Sequence, residues 1–279
     1  MDSLYRQAIA AEDDGQLPKA LELWEELCDK KPTLVSFIQL GRARMKLRQW
    51  QRAEDAFEAA LTIDKTFALA MDFLGLIYIR REDMDEATRM RQAAVWLNKS
   101  LAIRPSSIAY NCLGVTFHFQ GDLAAAKQSF ESAIQTDENF EEAYFNLAKL
   151  TGLGPEQARE PLRKAIQLDP NYWAAHQYLG IVEQKLRDFP AAEYHFRRAV
   201  ELDPLDVFSR LFLANILPLS GNNLAAEAEY KAALAGAPEH REITIKFFAK
   251  FLDKQKRHGE AEELRQSIKS APDPSGESQ

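Results

Sequence analysis

The chain has 279 residues, of which 35 are basic and 42 are acidic, giving a formal net charge of −7. Hydrophobic residues make up 46% of the chain, which is typical of a folded protein and too high for a disordered one. The length allows two globular domains or one elongated domain. The acidic balance disfavours a surface that tracks nucleic-acid phosphates, and two distant cysteines, Cys28 and Cys112, exclude a disulfide framework or a CxxC zinc site.

The N-terminal residues contain no basic stretch followed by an apolar run, so we expect no signal peptide. No window approaches 18 uninterrupted apolar residues, and we therefore expect no membrane span. Both observations, together with cysteines suited to a reducing compartment, predict a cytoplasmic protein.

A Leu-Gly dipeptide or a close variant recurs about every 34 residues along the chain. The copies are Leu40-Gly41, Leu74-Gly75, Leu113-Gly114, Leu147-Ala148, Leu179-Gly180, Leu213-Ala214 and Phe248-Ala249, with a degraded copy at Gln7-Ala8. A second set of markers follows, with a small residue, an aromatic residue and a small residue at positions i, i+4 and i+7, as in Ala126, Phe130 and Ala133. This spacing is that of one helix face.

Each repeat therefore predicts two amphipathic helices that cross at small residues. In one repeat, Asp188 is expected to cap the second helix, and Gly15, Gly121 and Gly221 stand at the equivalent turn of other repeats. A left-handed backbone at that turn would favour glycine. One helix pair cannot bury its own apolar face, so the pairs are expected to stack into a solenoid.

With these markers in phase, the sequence resembles the tetratricopeptide repeat (TPR) family over residues 1 to about 269. The resemblance implies an all-α fold, a right-handed α-solenoid (superhelix) of antiparallel helix pairs. We predict one solenoid over 1–269, with the last unit as a cap and a disordered tail over 270–279. Its units are expected at about 1–33, 34–67, 68–106, 107–140, 141–172, 173–206, 207–241 and 242–269.

Two insertions or deletions and two prolines depart from the repeat, the deletion being two residues across 152–155 of the fifth unit. In the third unit, extra residues predict one lengthened second helix near 84–103, opened by Asp83 and Glu86 as a capping-box-like pair. This helix is either an overhang without a role or a docking edge. Pro161 and Pro218 fall inside predicted helices, where we expect kinks.

Motifs for catalysis or cofactor binding are missing from the sequence. It contains no GxxxxGK[ST], HExxH or GxSxG, and its five histidines are scattered without ligand spacing. The acidic pair Glu141-Glu142 is explained by the dipole at a helix start. We therefore predict that the protein is not an enzyme, binds no metal and needs no cofactor.

The family uses the first helices of successive units to line a concave groove that holds segments of other proteins. The resemblance also places Ile38, Asp72, Lys246 and Lys250 on this groove. Carried over position by position, the main partner-binding residues would be Arg42, Leu76, Arg80, Asn111, Val115, Phe119, Phe145, Lys149, Gln177, Ile181, Lys185, Phe208 and Asn215.

The sequence thus predicts a non-catalytic scaffold or adaptor that binds a peptide or helix of a partner protein. The basic and polar set by which some TPR co-chaperones grip a C-terminal carboxylate is missing here. Two alternatives remain open, a self-associating structural scaffold and a helical-repeat nucleic-acid binder. We favour a monomer that binds no nucleic acid, because the chain is acidic and shows no unit-by-unit base-reading set.

Overall fold

A computed structural model of the protein describes residues 3–150, 154–236 and 238–269, and this part of the chain contains no β-strand. The predicted all-α class is confirmed. The α-helices are α1 (Ser3–Asp13), α2 (Leu17–Lys30), α3 (Leu34–Lys46), α4 (Trp50–Ile63), α5 (Ala68–Arg80), α6 (Glu86–Leu101), α7 (Ser107–Phe119), α8 (Leu123–Thr136), α9 (Glu141–Lys149), α10 (Pro155–Leu168), α11 (Trp173–Lys185), α12 (Phe189–Leu202), α13 (Val207–Ile216), α14 (Asn223–Gly236), α15 (Arg241–Lys254) and α16 (His258–Lys269).

The helices form two compact units, Met1–Thr151 with α1 to α9 and Gly152–Gln279 with α10 to α16. Within each unit every helix packs against the next, and first helices of neighbouring repeats also meet, as α5 meets α7 and α13 meets α15. Short connections make consecutive helices antiparallel. Each unit is therefore a stack of antiparallel helix pairs, as predicted. One solenoid over 1–269 stays a prediction, and the predicted disordered tail lies outside the described residues.

Small residues allow the two helices of a repeat to approach closely. A β-carbon on Gly41 would lie 2.5 Å from the ring of Phe57, and one on Gly180 would lie 2.7 Å from the ring of Phe196. The same rings continue the core into the next repeat, since Phe196 stacks on Phe212 with centroids 5.4 Å apart. The markers read from the sequence are therefore the contacts that hold each pair together.

The turn between the two helices of a repeat uses a left-handed residue. The predicted glycines Gly15, Gly121 and Gly221 have φ of 72°, 81° and 78°. Three further turns have the same conformation without glycine, at Arg48, Arg187 and Lys256, with φ of 56°, 64° and 62°. The left-handed turn is thus common to these repeats, although only some of them have glycine at this position.

The third repeat differs from its predicted form. Helix α6 begins at Glu86, and the side chain of Asp85 caps it by accepting a hydrogen bond of 2.9 Å from the Thr88 amide. The predicted Asp83–Glu86 capping pair is wrong, because Asp83 instead accepts from the Arg81 guanidinium at 2.9 Å. The helix has 16 residues against 14 in α4 and α8, so part of the insertion lies in the flanking loops.

Both internal prolines were predicted to lie inside α-helices, and only one of them does. Pro161 lies inside α10, as predicted. Pro218 does not lie inside an α-helix, because α13 ends at Ile216 and a 3₁₀ helix, Leu217–Ser220, follows it. Proline has no amide hydrogen for the i→i−4 bond and clashes with the preceding turn, so the backbone leaves the α-helix here.

Candidate functional site

The first helices of four successive repeats in the first unit enclose a cavity of about 540 Å³. We call this cavity the α3–α9 groove. Its lining residues are Val35, Ile38, Gln39 and Arg42 on α3, Phe67 before α5, Leu69, Phe73 and Leu76 on α5, Ile108, Asn111 and Cys112 on α7, Phe140 before α9, and Glu141 and Glu142 on α9.

The lining follows from helix periodicity. Residues three, four and seven positions apart lie on one face, and α3 presents Val35, Ile38, Gln39 and Arg42 with this spacing. Helix α5 repeats it with Leu69, Phe73 and Leu76. Because each first helix turns the same face inward, the apolar positions of separate repeats meet in one groove.

Four charged side chains mark the α3–α9 groove or its border. The Arg80 guanidinium lies 3.9 Å from the Glu142 carboxylate, so these two charges compensate each other across α7. Arg42 donates a hydrogen bond of 2.9 Å to the amide oxygen of Gln39. Within the described residues, neither Arg42 nor Glu141 forms an ion pair, and their opposite charges stand on α3 and α9.

Desolvation of Glu142 separates it from an ordinary surface carboxylate. Burial raises its pKa, and the nearby Arg80 charge opposes that effect. The Arg80–Glu142 distance of 3.9 Å exceeds hydrogen-bond length. In the part of the chain that the structure describes, no side chain donates a hydrogen bond to Glu142. Its oxygens are therefore open to a donor from a bound molecule.

Polar contacts also fix the wall of the groove formed by α7 and α9. The Asn146 amide donates to the side-chain oxygen of Asn111 at 3.0 Å, which ties α9 to α7. Cys112 lies beside Asn111 and is only 2% exposed, and burial raises the pKa of its thiol. A buried neutral thiol of this kind acts as a small apolar wall residue.

Asp72 is not on the groove, which corrects its predicted position. Its carboxylate is fully buried and accepts hydrogen bonds from the hydroxyls of Ser100 and Ser106, the latter at 2.6 Å. Burial raises the pKa of Asp72, and the two hydroxyls oppose this shift. The residue therefore joins α5 to α6 and to the start of α7.

The structure brings some of the predicted partner-binding residues of the first unit together. Arg42, Leu76 and Asn111 line the α3–α9 groove, and Arg80 reaches it through Glu142. Val115 is half-buried on α7 outside the lining set. Further along α9, Phe145 is 9% exposed, and the Lys149 ammonium lies 4.9 Å from its ring centroid, where desolvation lowers the pKa of Lys149.

Phe119 lies away from the groove. Its ring lines a different cavity, of about 480 Å³, with Glu86, Met90 and Ala94 of α6. The Arg89 guanidinium stands 5.9 Å from the ring centroid. The end of α7 therefore faces the second helix of its neighbour, whereas the middle of α7 faces the groove.

The remaining predicted residues belong to the second unit. The Gln177 amide donates to Asp206 at 2.6 Å, and the Asn215 amide donates to the Leu211 carbonyl at 2.7 Å. Both therefore serve contacts within their own unit. Ile181 packs against the local core, Lys185 is exposed, and Phe208 is 39% exposed beside His240.

A smaller cavity of about 200 Å³ lies in the second unit between α13 and α15. Asn215 is one of its lining residues, together with Leu219, Phe247, Lys250 and Lys254. The cavity is less than half as large as the α3–α9 groove. We treat the groove as the main candidate site because it gathers mostly apolar side chains from four successive repeats.

Sequence reasoning missed much of the groove lining. The missed residues are Val35, Gln39, Phe67, Leu69, Phe73, Ile108, Cys112, Phe140, Glu141 and Glu142. Phe67 and Phe140 precede α5 and α9 at equivalent positions, so the recurrence of an aromatic residue there could have indicated that both line the groove. Glu141 and Glu142 do lie in the first turn of α9, as the dipole argument predicts, but they also face the groove.

A histidine pair in the second unit was also missed. Nδ1 of His176 on α11 lies 3.1 Å from Nδ1 of His195 on α12. Burial lowers the pKa of both, and that of His195 falls to about 4 with help from the neighbouring His176. These residues are 19 positions apart, and only the pairing of the two helices brings them together.

The described residues offer neither a metal-binding cluster nor a membrane-spanning helix. No group of three or more His, Cys, Asp and Glu side chains in the described segments could hold a metal ion. None of the described helices has the length and apolar character needed to cross a bilayer.

Comparison with known proteins bears on the family and the fold. A family model described as tetratricopeptide repeat matches residues 38–107, 152–207 and 179–241, and a second such model matches residues 108–140. Each segment falls on the helix pairs described above, and together they cover more than half of the chain.

Among solved structures, the crystal structure of the APC/C hetero-tetramer Cut9-Hcn1 matches with a TM-score of 0.73 and 16% identity, covering 88% of this chain and 48% of that one. Pseudomonas aeruginosa PilF matches with a TM-score of 0.63 and 21% identity, covering 74% of this chain and 91% of that one. MamA matches with a TM-score of 0.50 and 21% identity over 55% of this chain and 90% of that one.

These identities show a shared fold, and this chain spans about half the length of the Cut9-Hcn1 chain that it matches. The in-phase sequence markers, the helix pairs with their left-handed turns and the matching family models all agree. The chain belongs to the tetratricopeptide repeat family.

Proposed function

We propose that this protein is a non-catalytic scaffold that binds a peptide or helical segment of a partner protein in the α3–α9 groove. Tetratricopeptide repeats generally mediate protein–protein interaction, and proteins of this family are typically non-catalytic scaffolds. For this protein, the proposal assigns the binding surface to the α3–α9 groove.

The observation that carries the proposal is the cavity itself. It measures about 540 Å³ and is lined by apolar side chains with a few polar groups among them. Sites that bind ligands share this composition, because apolar contacts supply affinity and polar groups fix orientation. The walls are preformed by packed helices, so most of the ordering cost of binding falls on the partner.

Val35 allows a clean test because it lines the groove and is 53% exposed, so its substitution leaves the core intact. We would select peptides from a random dodecapeptide display library on the intact protein, and measure the enriched peptides by fluorescence polarisation. Val35→Asp should weaken their binding at least about tenfold, because it puts a charge on an apolar wall.

Val95→Asp is the matched control, since Val95 is 46% exposed on α6 and outside the groove lining. It should leave binding unchanged, and circular dichroism should show equal helicity in both variants. Failure to enrich any peptide would contradict the proposal. Equal binding by the wild type and Val35→Asp would show that binding occurs elsewhere.

A further inference from the structure

The charges of the α3–α9 groove define what kind of segment fits it, an inference that rests on the proposed function. The four charged groups are not equivalent. Arg80 and Glu142 lie 3.9 Å apart and compensate each other. Arg42 and Glu141 remain without an ion pair among the described residues, and they line the groove on its first and last helices.

Between those two charges the wall is mainly apolar, with Asn111 of α7 as a polar group. Leu69, Phe73 and Leu76 of α5 and Ile108 of α7 face the cavity, and Val35 and Ile38 extend this surface on α3. A partner side chain placed here must be apolar, because a charged group would lose its hydration without gaining a partner. The groove thus runs from a cation through an apolar centre to an anion.

We propose that the α3–α9 groove binds a dipolar segment of a partner protein, with a carboxylate at the Arg42 end, large apolar side chains in the middle and a Lys or Arg at the Glu141 end. A segment of this kind places each charge against its opposite. The reversed orientation places like charges together at both ends, which costs several kcal/mol in protein interfaces. The groove therefore selects the place of each charge along the bound segment, and a chain of either N-to-C direction can meet this requirement.

The length of the segment follows from helix spacing. Packed helices lie about 8–10 Å apart, so the three steps from α3 to α9 span roughly 25–30 Å. An extended chain advances about 3.3 Å per residue, so about eight or nine residues bridge the two charges. A probe of twelve residues therefore reaches both ends.

Four labelled dodecapeptides with one common leucine-rich centre test the proposal. One carries two aspartates at its N-terminal end and two lysines at its C-terminal end, and the second has these ends exchanged. The third has aspartates at both ends and the fourth has lysines at both ends. We expect both dipolar peptides to bind at least about tenfold more tightly than either uniformly charged peptide, because a dipolar chain can lie in the direction that places each charge against its opposite.

Reversing the charge at one end of the groove provides the decisive variant. Arg42→Glu leaves an anion at both ends, so it should transfer the preference to the peptide with lysines at both ends. Arg52→Glu is the matched control, because Arg52 is exposed and does not line the groove. The control should keep the wild-type preference.

The outcomes separate this inference from the proposed function. Equal binding of all four peptides, lost in Val35→Asp, would overturn the dipolar preference and leave the groove as the binding surface. Tightest binding of a uniformly charged peptide to the wild type, or an unchanged preference in Arg42→Glu, would overturn it as well. Absence of binding by all four would also reject the dipolar segment, while the display selection decides the proposed function by itself.

Discussion

Phe130 lies so close to Gly114 that a β-carbon on the glycine would be 2.5 Å from Cε1 of the ring. The same relation joins Gly41 to Phe57 and Gly180 to Phe196. Real β-carbons do not approach ring carbons this closely, so the ring or a helix must move if glycine is replaced. The crossing of the two helices in these repeats therefore depends on a missing methyl group.

Gly114→Ala should lower the free energy of unfolding by about 1–3 kcal/mol, the usual cost of an added methyl group in a packed core. Urea unfolding followed by circular dichroism measures this difference. Gly236→Ala is the control, because a β-carbon there would meet no atom within 4 Å. Equal stability of Gly114→Ala and the wild type would show that the helices separate without cost.

The left-handed turns predict opposite effects for two substitutions. Arg187 has φ of 64°, a conformation that costs a non-glycine residue about 1 kcal/mol, so Arg187→Gly should raise stability by up to that amount. Gly121 has φ of 81° and open space around its β-position, so Gly121→Ala should lower stability by about 1 kcal/mol through the backbone alone. Thermal unfolding of both variants measures the two shifts.

The two turn variants act as controls for each other. Destabilisation by Arg187→Gly would mean that the arginine side chain contributes more than its backbone conformation costs. A neutral Gly121→Ala would show that this turn accepts a different conformation.

The buried histidine pair predicts a stability that depends on pH. The pKa of His195 is lowered to about 4 in the folded protein, against about 6.5 in the unfolded chain. Below pH 6.5 the unfolded chain therefore binds more protons, and the free energy of unfolding should fall by up to about 1.4 kcal/mol per pH unit until the pH nears 4. Above pH 6.5 this contribution is complete, because both states are neutral.

Substitution of His195 isolates that dependence. His195→Gln should lose less stability than the wild type between pH 7.5 and pH 5 in urea unfolding, whereas His118→Gln, in the first unit, should behave as the wild type does. The surrounding charges, Arg163 on α10, Arg198 on α12 and Asp188, remain in both proteins. The same pH profile for all three proteins would contradict a role for the pair.

Asp72 predicts a large loss of stability upon removal of one carboxylate. It is the acceptor for the hydroxyls of Ser100 and Ser106, and all three side chains are buried. Asp72→Ala leaves both hydroxyls without this acceptor and should cost about 2–4 kcal/mol of unfolding free energy. Asp72→Asn keeps one acceptor oxygen and should cost less.

Asp55→Ala serves as the comparison for Asp72, because Asp55 is exposed on α4. Urea unfolding should place it within about 0.5 kcal/mol of the wild type. If Asp72→Ala were equally mild, the hydroxyls would have found other acceptors and the buried cluster would not join the helices.

Local patterns predicted the elements that depend on local physics. The Leu-Gly markers and the small–aromatic–small spacing identified the helix pairs. Helix periodicity and close helix crossing both depend on residues that lie within a few helical turns of each other. Asp188 was predicted as a cap and does accept a hydrogen bond of 3.2 Å from the Ala191 amide. The predicted cap at Asp83 was wrong, because two aspartates precede α6 and the nearer one, Asp85, caps the helix.

Surface positions were harder to predict, because one helix position in a repeat can face a groove, a neighbour or solvent. Leu76 and Asp72 lie one helical turn apart on α5, yet Leu76 lines the groove and Asp72 is buried under α6 and α7. The helix dipole accounts for Glu141 and Glu142 in the first turn of α9, so nothing in the sequence indicated that they also line the groove.

By itself, the sequence determined the repeat, the helix pairs and the glycines that allow them to cross, because each depends on residues close together along the chain. Only the tertiary structure decided which charges are compensated. Arg80 and Glu142 meet across α7 from separate repeats, and His176 meets His195 between paired helices. Charge compensation depends on distance in space, and helix packing sets that distance for residues far apart in the sequence.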